Sequence, residues 1–164
     1  MVCHTYITKL KTAAYGSDAL KRARFKGVIR ISMEFLEPEI RHPTRDAIEK
    51  LALLFDLPNN DGMQDWEWEV ADSERIDEFL EVYSMDSITD DERFVLLEML
   101  LQSFEDSEID IENDTRWQSL LELINKYFKI HSYTIWYWSC FDTPEVEHRW
   151  RISKYMRNVC AENV

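Results

Sequence analysis

The chain contains few of the residues that form tight turns, since only three Gly and four Pro occur among its 164 residues. A β-sandwich or β-barrel needs many tight hairpins, and those hairpins depend on Gly and Pro at defined positions. An all-β fold is therefore disfavoured, and helices are expected to form most of the structure.

Cysteine is also scarce. Only Cys3, Cys140 and Cys160 occur, which is an odd number with no Cys-x-x-Cys spacing. This pattern encodes neither a disulfide framework nor a zinc site. The three side chains are expected to be free thiols that behave as small apolar groups.

Long apolar runs are missing as well. The longest purely aliphatic or aromatic run extends from Leu51 to Phe55, far below the roughly 20 residues that a membrane helix needs. The first twenty residues hold no apolar stretch of signal-peptide length. The sequence therefore predicts a cytoplasmic protein with no membrane partner.

The chain lacks the common catalytic and cofactor motifs. Neither Gly-x-x-x-x-Gly-Lys, Gly-x-Gly-x-x-Gly, Gly-x-Ser-x-Gly nor His-Glu-x-x-His occurs. Acidic residues alternate at 106–112 as in a calcium loop, but Ile111 stands where that loop needs Gly and Trp117 where it needs Glu. We therefore expect no enzyme, no cofactor and no metal site.

The net charge of −13 is distributed unevenly along the chain. Residues 1–50 carry ten Lys or Arg and six Asp or Glu, residues 51–115 carry two and twenty-one, and residues 116–164 carry seven and five. The three parts therefore have net charges of +4, −19 and +2. Such an acidic segment repels nucleic-acid phosphates and attracts cationic protein surfaces. Direct nucleic-acid binding is excluded, and a basic protein is the favoured partner.

The residues that are present support a packed core. Apolar residues make up 45% of the chain and aromatic residues 13%, which is ample large side-chain area for one domain of this length. We predict a mainly α fold, a single-domain bundle of five or six helices over residues 1–164. Residues 1–16 are expected to form an irregular arm, and 58–65 an internal loop rich in turn residues.

Helix boundaries are clearest where caps coincide with apolar spacing. Thr44 is a candidate N-cap for a helix that stops before Pro58, and Asp72 or Ser73 for one that reaches Tyr83. The strongest signal is the capping box that Thr89 and Glu92 form, which predicts a central helix over about 90–105. That helix is expected to pack against another over about 114–128.

Four further segments have mixed or less regular secondary-structure signals. Residues 27–36 fit either a helix or a strand, and so do residues 131–141. Alternation of Trp and Glu predicts a short extended segment near 66–70. Thr143 and Pro144, followed by acids, predict a last helix that runs toward Asn158.

The leading functional hypothesis is an acidic protein-binding module that neutralises a basic protein, such as a toxin or a nucleic-acid enzyme, as immunity and inhibitor proteins do. Acidic side chains would supply the attractive field, and two tryptophans among acids would supply contact area. The predicted partner-binding residues are Trp66, Glu67, Trp68, Glu69, Asp90, Asp91, Asp106, Glu108, Asp110 and Glu112.

Two alternatives stay open. The acidity can be merely solubilising, in which case the chain is a cytosolic structural or regulatory helical domain. Clustered carboxylates can also serve a metal-dependent enzyme, although their abundance makes any one pair uninformative.

Overall fold

The computed structural model of the protein describes residues 37–163. The predicted arm over 1–16 and the ambiguous segment over 27–36 lie outside the described residues. Within residues 37–163 the chain forms seven α-helices and no β-strand, which confirms the mainly helical fold class. The helices are α1 (Arg45–Phe55), α2 (Trp66–Glu69), α3 (Ile76–Ser84), α4 (Asp90–Asp106), α5 (Thr115–Lys126), α6 (Phe128–Trp138) and α7 (Ser153–Asn163).

Helix α1 begins and ends as its sequence dictates. The hydroxyl of Thr44 accepts a hydrogen bond from the amide of Ala47 at 3.4 Å, which caps the helix as predicted. Asp56 ends the helix in the left-handed region, at a φ of 52°, a conformation that Asp adopts more readily than most residues. Turns and bends then connect α1 to α2 across residues 56–65.

Helix α4 is the centre of the fold. Its capping box is complete, because Thr89 accepts from the amide of Glu92 at 3.2 Å and the Glu92 carboxylate accepts from the amide of Thr89 at 3.1 Å. Side chains on every side of the helix are buried from residue 92 to residue 101. A helix enclosed all round must be surrounded by other elements, and α1, α2, α3 and α6 pack against it.

The predicted contact between α4 and α5 is narrow. Phe104 and Trp117 meet edge to face with ring centroids 5.0 Å apart, and both side chains are fully buried. Otherwise α5 packs mainly against α3, α6 and α7. Helix α7 in turn lies along α6, and α6 packs against the central helix.

The sequence left residues 131–141 open between helix and strand, and most of the segment is helical. His131, Thr134, Ile135 and Trp138 are the buried residues of α6, and they follow one another at intervals of three, one and three. This spacing places them on one face of a helix, whereas in a strand they would point to both sides. The alternating tyrosines of the segment are half-buried at the edge of that face.

The predicted extended segment near 66–70 is wrong, because Trp66–Glu69 forms a single helical turn. The amides of Trp68 and Glu69 both donate to the carbonyl oxygen of Asp65 at 3.0 Å. A lone strand has no neighbour to receive its backbone hydrogen bonds, whereas a helical turn satisfies them locally. The turn also buries Trp66 and Val70 together, since they lie four residues apart.

The predicted last helix starts later than its sequence signals indicate. A short 3₁₀ turn, Val146–His148, follows Pro144, and α7 begins only at Ser153. The guanidinium of Arg149 donates to the carbonyls of Thr143 at 2.7 Å and Pro144 at 2.6 Å, which fixes a loop in place of a helix. Val146 is 71% exposed, so burial of its side chain does not favour a helix at this point.

The two basic residues of the acidic segment are both used inside the fold. Arg93 is 3% exposed, donates to the carbonyls of Tyr83 and, at 2.9 Å, Met85, and thus ties the end of α3 to α4. Arg75 donates to the carbonyl of Phe55 at 2.8 Å and to Glu78. Of the two, Arg75 also interacts electrostatically with the nearby carboxylates of Asp56 and Asp72.

Loss of the α4 cap is expected to weaken the whole domain, since the helix is central. Thr89→Ala removes the hydroxyl that satisfies the Glu92 amide, and we expect the free energy of unfolding to fall by about 1 kcal/mol. Urea denaturation followed by circular dichroism measures this. Thr115→Ala, at the exposed first residue of α5, is the matched control and should change stability by well under half that amount; equal losses in both variants would contradict the role of the cap.

Candidate functional site

The acidic residues predicted to form one surface lie in two groups. Asp90 and Asp91 are in the first turn of α4, whereas Asp106 ends the helix and Glu108, Asp110 and Glu112 follow it. At 1.5 Å per residue, the two ends of α4 are about 24 Å apart. All six side chains are exposed, but they do not form a single continuous patch.

Cations from the preceding segment partly neutralise the first group. Arg41 lies 2.6 Å from the Asp91 carboxylate and also covers the ring of Phe94 at 5.1 Å from its centroid. Lys50 of α1 lies 2.8 Å from the neighbouring Glu92 and helps to hold the pKa of that carboxyl below its usual value, against the effect of its partial burial. Asp90 is exposed, and no ion pair within residues 37–163 includes it.

The second group forms the loop between α4 and α5, which we call the acidic loop, residues 105–114. Ile111 is buried and fixes a 3₁₀ turn, Ile111–Asn113, in the middle of the loop. Asp110 accepts a hydrogen bond from the side-chain amide of Asn113 at 2.8 Å. The loop is therefore ordered, and its carboxylates have defined positions.

Basic residues from α5 and the region around α7 contact the acidic loop from one side. Lys154 pairs with Glu112, and Arg116 holds Asp114 at 2.7 Å and lowers the pKa of that carboxyl. Arg151 donates to the carbonyl of Ile109 at 3.2 Å and to the hydroxyl of Ser107 at 2.8 Å. These contacts leave the carboxylates of Asp106, Glu108 and Asp110 exposed to solvent.

A shallow depression of about 230 Å³ lies beside the acidic loop. Its lining includes Asp110 and Glu112 together with Arg151 and Lys154. Carboxylates and cations in equal number give the depression no preference for a charged small molecule of either sign. The chemically distinctive part of this region is therefore the outward face of the loop.

The four predicted residues of α2 are placed differently from one another. Trp66 is 3% exposed and its indole donates to the carbonyl of Pro58 at 2.7 Å, so it belongs to the core and offers no contact area. Glu67 is also buried, whereas Glu69 is exposed and accepts from the amide of Gln64 at 3.0 Å. Trp68 is half-buried and stacks on Tyr137 with ring centroids 5.9 Å apart.

A buried carboxylate that the sequence analysis did not identify lies below this turn. Glu98 is 6% exposed, at the middle of α4. It accepts hydrogen bonds from the hydroxyl of Thr134 at 2.7 Å and from the indoles of Trp138 at 3.0 Å and Trp68 at 3.3 Å. No Lys, Arg or His contact to this carboxylate is present among residues 37–163.

Burial raises the pKa of Glu98, although the three donors oppose that change. Burial likewise raises the pKa of Glu67 to about 7, and the nearby charges of Glu98 and Asp65 add to this effect. The sequence does contain a signal for Glu98, because it is a lone charge within the apolar run from Phe94 to Leu101. An isolated acid in an otherwise apolar central helix indicates a buried, hydrogen-bonded carboxyl.

A second buried polar group is His131 of α6. Its Nε2 lies 2.8 Å from the hydroxyl of Tyr83, and its ring stacks on Phe94 with centroids 6.3 Å apart. Burial lowers the pKa of His131 to about 3, and the charges of Arg41 and Arg93 act in the same direction. The imidazole is therefore neutral at physiological pH and joins α3 to α6 as a core residue.

Within the described residues, no group of three or more His, Cys, Asp or Glu side chains is arranged to hold a metal ion. The helices of residues 37–163 are also each too short or too polar to cross a bilayer. Comparisons of the chain with protein-family models, with curated proteins and with solved structures find no match.

The raised pKa of Glu67 predicts how stability depends on pH. The folded state binds the Glu67 proton more tightly than the unfolded state, whose pKa is about 4.3. The contribution of Glu67 to the free energy of unfolding is therefore fully present below about pH 4.3 and is lost as the pH rises toward 7. Glu67→Gln stays neutral throughout, so its stability relative to the wild type should increase over this interval.

Urea denaturation at pH 4.5 and pH 8 measures that difference. Glu69→Gln is the matched control, since the same change is made two residues away on an exposed side chain. We expect the Glu69→Gln curve to run parallel to that of the wild type. If the Glu67→Gln curve also runs parallel, Glu67 does not titrate in this interval and the inferred pKa is wrong.

Proposed function

We propose that the protein binds a basic protein partner and neutralises it by electrostatic docking, in the manner of an inhibitor or immunity protein. The observation that carries the proposal is the outward face of the acidic loop, where Asp106, Glu108 and Asp110 project into solvent within five residues of each other. Carboxylates so arranged favour a cationic surface and disfavour nucleic acid.

The charge balance around the acidic loop supports a docking role for this surface. Residues 105–114 contain six Asp or Glu and no Lys or Arg. Three cations from later in the chain contact the loop, Arg116, Arg151 and Lys154. The neighbourhood therefore keeps an excess of three negative charges, and the cations lie on the side that faces α5 and α7.

The fixed conformation of the acidic loop also supports a docking role. The amides of Arg151 and Ile152 donate to the Glu105 carboxylate at 3.1 Å and 3.3 Å, and Ser107 is buried. A partner therefore meets carboxylates that are already positioned, and little conformational entropy is lost when the complex forms. Complementary charge then acts chiefly on the rate of association and on the choice of partner.

The residues predicted from sequence differ in their expected contribution to binding. Asp106, Glu108 and Asp110 form the docking surface, with Glu112 at its edge. Asp90 and Asp91, about 24 Å away, contribute only to the long-range field unless a partner covers the full length of α4. Trp66 and Glu67 are buried and take no part in it.

A second candidate function is supported by the ion pairs that bring cations from the flanks to the acidic segment. Arg41 pairs with Asp91, Lys50 with Glu92 and Lys154 with Glu112. Pairing of this kind, with the remaining acids in two separate groups, also suits a structural or regulatory helical domain whose negative charge keeps it soluble.

Charge reversal on the acidic loop separates the two functions. We expect wild-type protein on beads to retain a basic protein from an extract of its source cells at low salt, and to release it as salt is raised. Asp106→Lys, Glu108→Lys and Asp110→Lys together should reduce this retention at least about tenfold, because attraction at the docking surface becomes repulsion.

The matched control reverses three exposed acids elsewhere, in the variant Asp142→Lys, Glu145→Lys and Glu147→Lys, which makes the same change in net charge. Retention by this control at the wild-type level supports a local docking surface. Equal loss of retention in both variants means that net charge alone governs binding. If no sample retains a basic protein in a salt-sensitive way, the solubilising function is favoured instead. Thermal melts show whether each variant is folded.

A further inference from the structure

The depression beside the acidic loop contains one cation that is held only by exposed contacts. Lys154 pairs with Glu112, and its ammonium lies over the ring of Tyr155 at 4.9 Å from the centroid. The side chains of Lys154 and Glu112 are 59% and 65% exposed. An exposed ion pair contributes little stability, because water screens it and both side chains lose conformational freedom. Lys154 can therefore leave this position at small cost.

The other cation of the depression, Arg151, is held firmly. Its guanidinium donates to three oxygens at the end of α4 and in the acidic loop. The acceptors are the carbonyls of Phe104 and Ile109 and the hydroxyl of Ser107. These contacts keep Arg151 in place when Lys154 moves. The lining then holds the carboxylates of Asp110 and Glu112 against a single guanidinium, so its net charge becomes negative.

The walls of the depression suit a flat cation. The ring of Tyr155 packs edge to face on the fully buried Trp117, with centroids 5.3 Å apart, so its position is fixed. Ile109 and Ile111 line the same depression. A guanidinium stacks on an aromatic ring and forms two parallel hydrogen bonds to one carboxylate, whereas an ammonium is a strongly hydrated point charge. The lining therefore favours arginine over lysine.

The size of the depression also limits what it can hold. Its volume of about 230 Å³ lies below the roughly 300–1,000 Å³ of sites for drug-sized ligands. A single side chain fits this volume better than a cofactor does. An anion fits less well, because Asp110 and Glu112 line the depression and both of its cations already donate to oxygens of the chain.

We infer that the depression receives an arginine side chain presented by another protein, which takes the place of Lys154 against Glu112 and the ring of Tyr155. The displaced Lys154 extends into solvent. One cation replaces another, so the gain comes from the second hydrogen bond and the stacking that lysine does not provide. The inference rests on the proposed function for the source of this arginine, which the basic partner supplies.

An arginine in the depression also gives the docking surface a fixed register. Asp106, Glu108 and Asp110 attract a cationic surface without selecting one orientation, because charge acts over a long range. The depression adjoins these residues and accepts one side chain in one place. Arginine is among the residues that most often dominate the binding energy of an interface. The acidic loop then governs the rate of association, and the depression the lifetime of the complex.

Nuclear magnetic resonance titration of the full chain with N-acetyl-arginine amide tests the inference. We expect saturable shifts at Tyr155 and Ile111, and an affinity at least about threefold higher than for N-acetyl-lysine amide. Lys154→Ala removes the competing cation and should strengthen binding of the arginine probe about threefold, the factor that corresponds to one exposed ion pair.

The matched control is Lys126→Ala. Lys126 is also an exposed lysine whose ammonium lies over the ring of a neighbouring tyrosine, Tyr127, at 4.7 Å, but it does not line the depression. This variant makes the same change in net charge and should bind the probe as the wild type does. Equal effects of Lys154→Ala and Lys126→Ala would overturn the inference, and so would equal affinities for the two probes.

A second pair of variants tests the carboxylate. In the Lys154→Ala background, Glu112→Gln should weaken binding of the arginine probe at least about fivefold, because the charge-assisted hydrogen bonds are lost. Glu108→Gln in the same background changes an exposed acid outside the lining and should have less than half of that effect. Equal effects of these two changes would contradict a site at the depression.

Retention of a basic protein on beads separates this inference from the proposed function. If the wild type retains a basic protein but the arginine probe does not bind in the depression, the inference is wrong and the docking function stands. Probe binding at Tyr155 and Ile111 without retention of any basic protein supports the arginine site and contradicts only the proposed docking function.

Discussion

The enclosure of α4 on all sides is the constraint on which the rest of the structure depends. Because four helices surround its middle, a charged side chain there must be buried, and charge can reach solvent only at the two ends. The acids of this helix are distributed accordingly, with Asp90 and Asp91 at the start and Asp106 at the end. The same packing that forms the core thus divides the acidic surface in two.

Glu98 is the exception to that distribution, and its surroundings show how the core accommodates it. The carboxylate receives donors from α2 and α6, so its hydrogen bonds join three helices through one polar group. Burial of a carboxyl is unfavourable unless its oxygens are satisfied, and here side-chain donors satisfy them in place of a cation. The charge of Glu98 in turn contributes to the raised pKa of the nearby Glu67.

Local signals in the sequence were sufficient to predict the helical class and the capped start of α4. The start could be predicted because a capping box acts between residues three positions apart. They failed at residues 66–70 and 144–152, where distant partners decide the conformation. Trp150 packs on Trp138 with ring centroids 4.4 Å apart, a contact between residues twelve positions apart that no local period reveals. Charge counts likewise identified the acidic segment but not its division between the two ends of α4, since that depends on tertiary packing.

The hydrogen bonds of Glu98 also limit how this sequence can change during evolution. Replacement of Trp68, Thr134 or Trp138 by a residue without a donor leaves a carboxylate oxygen unsatisfied in the core, which costs roughly 1–3 kcal/mol or more. Drift at these positions is therefore expected to be concerted, with all four side chains kept or all replaced by apolar ones. Such correlated inheritance of one acid, two indoles and a hydroxyl would identify distant descendants of the same ancestor after overall identity has faded.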